Sequence, residues 1–226
     1  MADAFRPRRF RPSCDRDASP QDKDKTMADA PKTLLDLAGA NPAPASLSDA
    51  TLVVIDAQNE YVRGPIALPN VEPALAAIES LLAQARAAGT PIVHLAHRAP
   101  AGVFVEGSDG AQIAPQAAPA EGEPVFKKQL PNGFTNPDFA PALEKLGRKN
   151  LILTGFMTHM CVDSTARAAV DLGYGVTIVE NATASRALPG AVGKPARSAQ
   201  EVHDGALAGL ADLFAVVVPD ASKLRR

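Results

Sequence analysis

From residue 51 onward, two hydrophobic rhythms alternate along the chain. The stretches "TLVVID" (51–56), "PIVHLA" (91–96), "LILTG" (151–155) and "VTIVE" (176–180) are short and apolar at successive positions, with weaker runs at "PVFK" (124–127) and "FAVVV" (214–218). Neighbouring strand residues point to opposite faces, so a run apolar throughout needs cover on both sides, as in a parallel sheet between helices. The intervening stretches have helical spacing. In 71–89, Leu75, Ile78, Leu82 and Ala85 share a face and Gly89 ends the pattern. Residues 136–147 place Pro137 at a first helical position, Phe139, Leu143 and Leu146 on one face, and Gly147 at the close. Residues 158–173 read as one further helix ending in glycine, and 198–214 open with Ser198 and Glu201 in capping-box spacing. Strand–helix alternation of this kind predicts right-handed βαβ units and an α/β fold, a three-layer α/β/α sandwich. Two long loops, 98–123 and 182–197, are expected to carry lids or oligomer contacts.

Residues 1–31 lack this periodicity and mix Pro, Ser and charges of both signs, so they are expected to be a disordered extension before a single domain spanning 32–226. "MADA" occurs at Met1 and again at Met27, which leaves either methionine as the start. Aspartates argue against a transit peptide, and the absence of an apolar core argues against a secretory signal.

Composition narrows the function classes. The 226 residues are 46% hydrophobic and 21% charged, with a net charge of −2. That balance gives no reason to expect nucleic acid, and no apolar run approaches a membrane span. Aromatics make up 4% of the chain with no Trp, a poor basis for stacking bases. Of the two cysteines, Cys14 falls in the polar extension, so no structural disulfide is expected and a reducing, cytoplasmic compartment is. Neither a dinucleotide, a Walker A nor a GxSxG motif is present.

Ligands of parallel sheets bind beyond the carboxyl ends of the strands, so polar residues there are the candidates for chemistry. Asp56 ends the first run, half-buried, as either a base or a cap. Lys127 closes the weak run at 124–127 and Lys128 follows it, and one of the two must face away from the core. Cys161 sits at an expected helix start, where free N–H groups favour a thiolate, although free cysteines are also common core residues. His94 and His97 are three apart on a strand and should face opposite ways, so they do not predict a shared metal. His159 is two residues from Cys161, a spacing that does not join side chains on a helix, and His203 is expected on a helix surface or at an interface.

The segments "VVIDAQNEYV", "VFKKQLPNGF" and "LILTGFMTHMCVDSTARAAVDLGYGVTIVENATAS" resemble, in order and spacing, the isochorismatase-like cysteine hydrolases, over roughly residues 48–220. That superfamily includes nicotinamidases and N-carbamoylsarcosine amidase. The resemblance implies a six-stranded parallel sheet and a catalytic triad of Asp56, Lys128 and Cys161, with Lys127 the alternative lysine. It also implies a cis peptide between Phe156 and Met157, and an oxyanion hole from the N–H groups of Met157 and Cys161. The implied reaction is hydrolysis of a small amide or ureide through a thioester, without a cofactor, in a homo-oligomer such as a dimer or tetramer. Nicotinamidases bind a metal through an Asp-x-His segment; here the region reads "HLAHRAPAG", so no metal is expected. True isochorismatases lack the nucleophilic cysteine, which makes vinyl-ether hydrolysis the alternative; a catalytically inactive binding protein on the same fold is another. Where relatives carry "F-x-G-T-x-L", this chain has "FTNPDF". Tyr61, Phe104 and Phe134 are the expected pocket walls, each of which could instead fill the core.

Overall fold

In the computed structural model, which describes residues 30–225, six parallel strands form one sheet in the order β3-β2-β1-β4-β5-β6. They are β1 (Ala50–Ile55), β2 (Ile92–His97), β3 (Val125–Lys128), β4 (Asn150–Phe156), β5 (Gly175–Ala184) and β6 (Val216–Val218). The helices are α1 (Leu34–Leu37), α2 (Glu60–Arg63), α3 (Val71–Ala87), α4 (Phe139–Leu146), α5 (Asp163–Asp171) and α6 (Ala199–Ala211). Every run singled out in the sequence contributes to a strand. The reading of the N-terminal extension, Cys14 included, lies outside the described residues up to position 29.

Alternate residues of each strand go to opposite faces, which makes the three layers. Leu52 and Val54 of β1 join Leu75, Ile78 and Leu82 of α3 in one core cluster. Val53 and Ile55 join Phe139 and Leu143 of α4, Ala166 and Ala169 of α5, and Leu207 and Leu210 of α6 in the other. Apolar area removed from water on both faces, worth about 25 cal/mol per Å2, is what holds the central strands.

Local chemistry moved several predicted boundaries. Helix α4 begins at Phe139 rather than at Pro137, because Asn136 first forms a turn: its side chain accepts from the N–H of Asp138 (2.8 Å) and its carbonyl from that of Phe139 (3.3 Å). The predicted helix 158–173 is divided. Residues Thr158–Val162 form a wider π turn in which the carbonyl of Met157 accepts from Met160 and Val162, and α5 follows. Strand β5 runs to Ala184, so the loop expected from 182 starts three residues later. Between the pairs Leu153↔Ile178 and Gly155↔Thr183, five steps along β5 match two along β4. The Thr154 hydroxyl donates to the carbonyl of Ala182 (2.6 Å) within that bulge. The Ser198–Glu201 capping box forms as predicted.

Candidate active site

Three strand ends converge beside β1. Asp56 is the first residue beyond β1, fully buried, with φ of 48°. Aspartate is among the few side chains that tolerate this left-handed region, and the turn aims its carboxylate across the sheet end rather than along it. At the neighbouring strand, Gly155 has φ of 109°, and a Cβ there would lie 1.9 Å from the carbonyl oxygen of Ile55. Glycine is therefore required for β4 to approach β1 at the point where the chain turns toward Cys161.

Strand alternation divides the paired lysines. Lys127 points out and meets Glu106 at 2.7 Å, whereas Lys128 is buried. The ammonium of Lys128 donates to Asp56 Oδ2 (2.6 Å), to Cys161 Sγ (3.3 Å) and to the carbonyl of Leu130 (3.2 Å). Cys161, 4% exposed, lies in the π turn, which brings its sulfur over the end of β1 rather than onto the outer face of α5. Asp56 Oδ1 has no hydrogen-bond partner among the described residues. The peptide bond Phe156–Met157 is cis.

This environment reverses one expectation. A helix start was expected to favour the thiolate; instead burial, reinforced by the Asp56 carboxylate, pushes the Cys161 thiol up to about 12, against the opposing pull of Lys128. The resting group is a neutral thiol beside an ion pair. Iodoacetamide is accordingly expected to alkylate Cys161 of the free protein more slowly than free cysteine at pH 7, with a rate that climbs beyond pH 9. Peptide-resolved mass spectrometry, which separates Cys161 from Cys14, reads this; a rate plateau by pH 7 would contradict it.

His97, not assigned a role from the sequence, belongs to this cluster. Its position opposite Lys128 follows from the β2–β3 register, and its Nδ1 lies 3.4 Å from Lys128 Nζ. Burial, then the Lys128 charge, hold its pKa below the usual value, so the ring is neutral at pH 7. Ligand atoms of Asp56, His97 and Cys161 lie within 4.8 Å of one another, a donor set that could suit a metal ion. The Lys128 ammonium already stands within 3.4 Å of a donor atom of each, so a dication there would meet a fixed positive charge. The arrangement fits an ammonium rather than a metal. His94 faces elsewhere, as alternation predicts, with Nε2 at 3.0 Å from Glu123.

The aromatic candidates separate. Tyr61 packs edge-on against Phe104 (5.2 Å between centroids) and Phe156 (5.6 Å), and Phe104 lies 5.2 Å from the His97 ring, so these rings form one wall beside the cluster. Burial, then the Asp56 carboxylate, raise the Tyr61 pKa, which keeps its phenol neutral. Glu60, also missed in the sequence, holds the loop that carries Phe104: its Oε2 accepts from the Phe104 N–H (3.1 Å) and its own N–H donates to Gly110. Phe134 is not part of the wall. The turn at Gly133–Thr135, capped by Asn132, directs its ring onto Phe139 and Tyr174, so it fills the core beside α4. His203, expected on a helix surface or at an interface, is buried, with Nδ1 at 2.9 Å from the Thr158 hydroxyl, because α6 packs against the π turn.

Comparison with known proteins agrees with this fold. Residues 50–222 match the isochorismatase domain. A secreted isochorismatase effector, Isc1, of Verticillium dahliae is 40% identical over 182 residues, 80% of this chain and 93% of the relative. The crystal structure of an isochorismatase from Pseudomonas putida superposes with a TM-score of 0.82 at 41% identity, covering 87% of this chain and all of that one. A maleamate amidohydrolase of Pseudomonas putida is 30% identical over 153 residues, 60% of this chain and 72% of the relative. With a domain match over most of the chain and the same fold as a solved structure at 41% identity, the protein belongs to the isochorismatase-like hydrolase family.

Proposed function

We propose that this hydrolase cleaves the C–N bond of a small amide or ureide through a thioester on Cys161. The observation that carries the reading is one buried ammonium, Lys128, bridging the Asp56 carboxylate at 2.6 Å and the Cys161 sulfur at 3.3 Å. Sulfur attacks the carbonyl carbon while its proton passes to the unpartnered Oδ1 of Asp56, and Lys128 offsets the negative charge as it moves. The N–H groups of Met157 and Cys161 hold the tetrahedral oxyanion, a contribution of about 3 kcal/mol per donor in comparable sites. Collapse breaks the C–N bond, and the leaving nitrogen takes the proton from Asp56, giving ammonia or an amine. Asp56 next removes a proton from water, whose oxygen attacks the thioester. The carboxylic acid leaves and the proton returns to sulfur. Asp56 thus serves as base, acid and base again, which is why a carboxylate held by a fixed cation suits the position.

Ammonia release across a panel of small amides and ureides tests this, together with mass spectrometry of acid-quenched turnover. Amide-dependent ammonia and an acyl mass increment on the peptide containing Cys161 are expected; ammonia without any such increment under single-turnover conditions would overturn the thioester. The relatives at 40% and 41% identity are named for isochorismatase, which supports the second reading, vinyl-ether hydrolysis without the thiol. Assembly as a dimer or tetramer belongs to the same proposal, as does a cytoplasmic location, where the thiol stays reduced. Among the described residues no helix is long and apolar enough to cross a membrane, and the Verticillium relative is named as secreted.

A further inference from the structure

Lys128 faces more acceptors than it has hydrogens to give. Its ammonium carries three N–H groups. Among the described residues, four acceptor atoms lie within reach: Asp56 Oδ2 at 2.6 Å, the Leu130 carbonyl at 3.2 Å, Cys161 Sγ at 3.3 Å and His97 Nδ1 at 3.4 Å. The carboxylate and the carbonyl, as oxygen acceptors, hold two of the hydrogens. A sulfur and a ring nitrogen compete for the third.

His97 is held in that competition by its surroundings. The buried amide of Gln58 clamps its backbone: Oε1 accepts from the His97 N–H (2.8 Å), and Nε2 donates to the carbonyls of His97 (3.0 Å) and Ala111 (2.8 Å). The Phe104 ring lies against the imidazole, and the β2–β3 register sets His97 opposite Lys128. A ring nitrogen of His97 is within 4.8 Å of both the sulfur and an Asp56 carboxylate oxygen. An ammonium can only donate, so Nδ1 accepts and the neutral ring keeps its proton on Nε2. The titratable groups around the ring are Lys128, Asp56, Cys161 and Arg98, and Arg98 is itself answered by Glu106 at 3.1 Å.

We propose that His97 is a positioning residue for the nucleophile: it takes the third N–H of Lys128 while the sulfur is a thiol, and releases it to the sulfur as the thiolate forms. The role rests on the Cys161 hydrolase reading. A neutral thiol is a weak acceptor, so the imidazole nitrogen holds the hydrogen at rest. Once the thiol proton has passed to Asp56, the anionic sulfur becomes the better acceptor and the N–H turns to it. Forming the thiolate therefore costs the hydrogen bond to the ring as well as the burial of charge. The ring keeps the resting sulfur in its unreactive form, and the hydrogen that will stabilise the anion is already at hand when attack begins.

Iodoacetamide alkylation of Cys161 between pH 7 and 9, followed on its own peptide in the whole chain, tests this without any substrate. Burial, then the Lys128 charge, hold His97 below its usual value, so the ring stays neutral across that range. His97→Phe keeps a ring of similar shape and removes the acceptor. Its thiolate fraction is expected to rise about tenfold, roughly the worth of one charge-assisted hydrogen bond. A more acidic thiolate is also a weaker nucleophile, which leaves alkylation about fourfold faster than in wild type. His97→Asn, whose Oδ1 can stand in for Nδ1, is expected to react at the wild-type rate. The pair sets acceptor strength against access, because asparagine is the smaller side chain and opens more room beside the sulfur. A faster His97→Asn, a His97→Phe no faster than wild type, or the same change in both overturns the proposal. Thermal melts show which variants are folded; if His97→Phe is not, His97→Leu, close to histidine in volume and equally without an acceptor, replaces it under the same expectation. The expected order of rates with no acyl increment on Cys161 from any amide would count against the hydrolase reading alone. An acyl increment with the order reversed would count against the role of His97 alone.

Discussion

Cys161→Ala protein is expected to lose at least about 10^4-fold in amide turnover while remaining folded. The loss is that large because no neighbouring group can take over: Asp56 and Lys128 are already paired, and the neutral ring of His97 is a far weaker nucleophile than sulfur. The fold survives because the sulfur contributes little more than packing to its cluster, so the expected stability change is within about 1 kcal/mol, or roughly 2–4 °C in Tm. Cys161→Ser should be nearly as inactive, since a buried hydroxyl is a far weaker nucleophile than sulfur in the same place. Steady-state ammonia release and a thermal melt measure the two halves separately. Retained activity in the alanine variant would remove the thioester and favour the ether-hydrolysis reading.

The second large effect falls on stability as well as rate. Lys128→Met leaves Asp56 fully buried without its cation, in a site whose formation already removed both charges from water. Breaking such a pair costs about 3–5 kcal/mol, because the remaining charge keeps its desolvation penalty and loses its compensation. Turnover should fall in parallel, since the thiol proton has then to move onto a carboxylate no longer held in place. Asp56→Asn combined with Lys128→Met should recover most of the lost stability and none of the activity, a pattern that separates folding from chemistry. A single Lys128→Met variant as stable as wild type would mean that the pair is solvated in solution and the site differently built.

Much of this was legible before any coordinates. Runs apolar at every position could only be strands buried on both faces, and the resemblance carried Asp56, Lys128 and Cys161 to sites that the fold brings together. What could not be read depended on pairing register or on competing local hydrogen bonds. Which of Lys127 and Lys128 faces inward is decided by the phase of β3 against β2, and the same register brings His97 to the ammonium. Pro137 suggested a helix start that the Asn136 turn displaced. The 158–173 pattern is helical in spacing, yet Met157's carbonyl draws the N–H of Val162 and widens the first turn. That widening is why Cys161 faces the end of β1 and why His203 is covered.

The order of strands and helices, the two-sided core and the residue types available for chemistry were determined by the sequence alone, because side-chain periodicity is a local property of the chain. Only the tertiary structure decided the burial that raises the Cys161 pKa and the role of Lys128 as a resident cation between Asp56 and the sulfur. Each of those depends on how far a group has been taken out of water and which charges from distant strands stand beside it, and neither quantity is written in the spacing of residues along one chain.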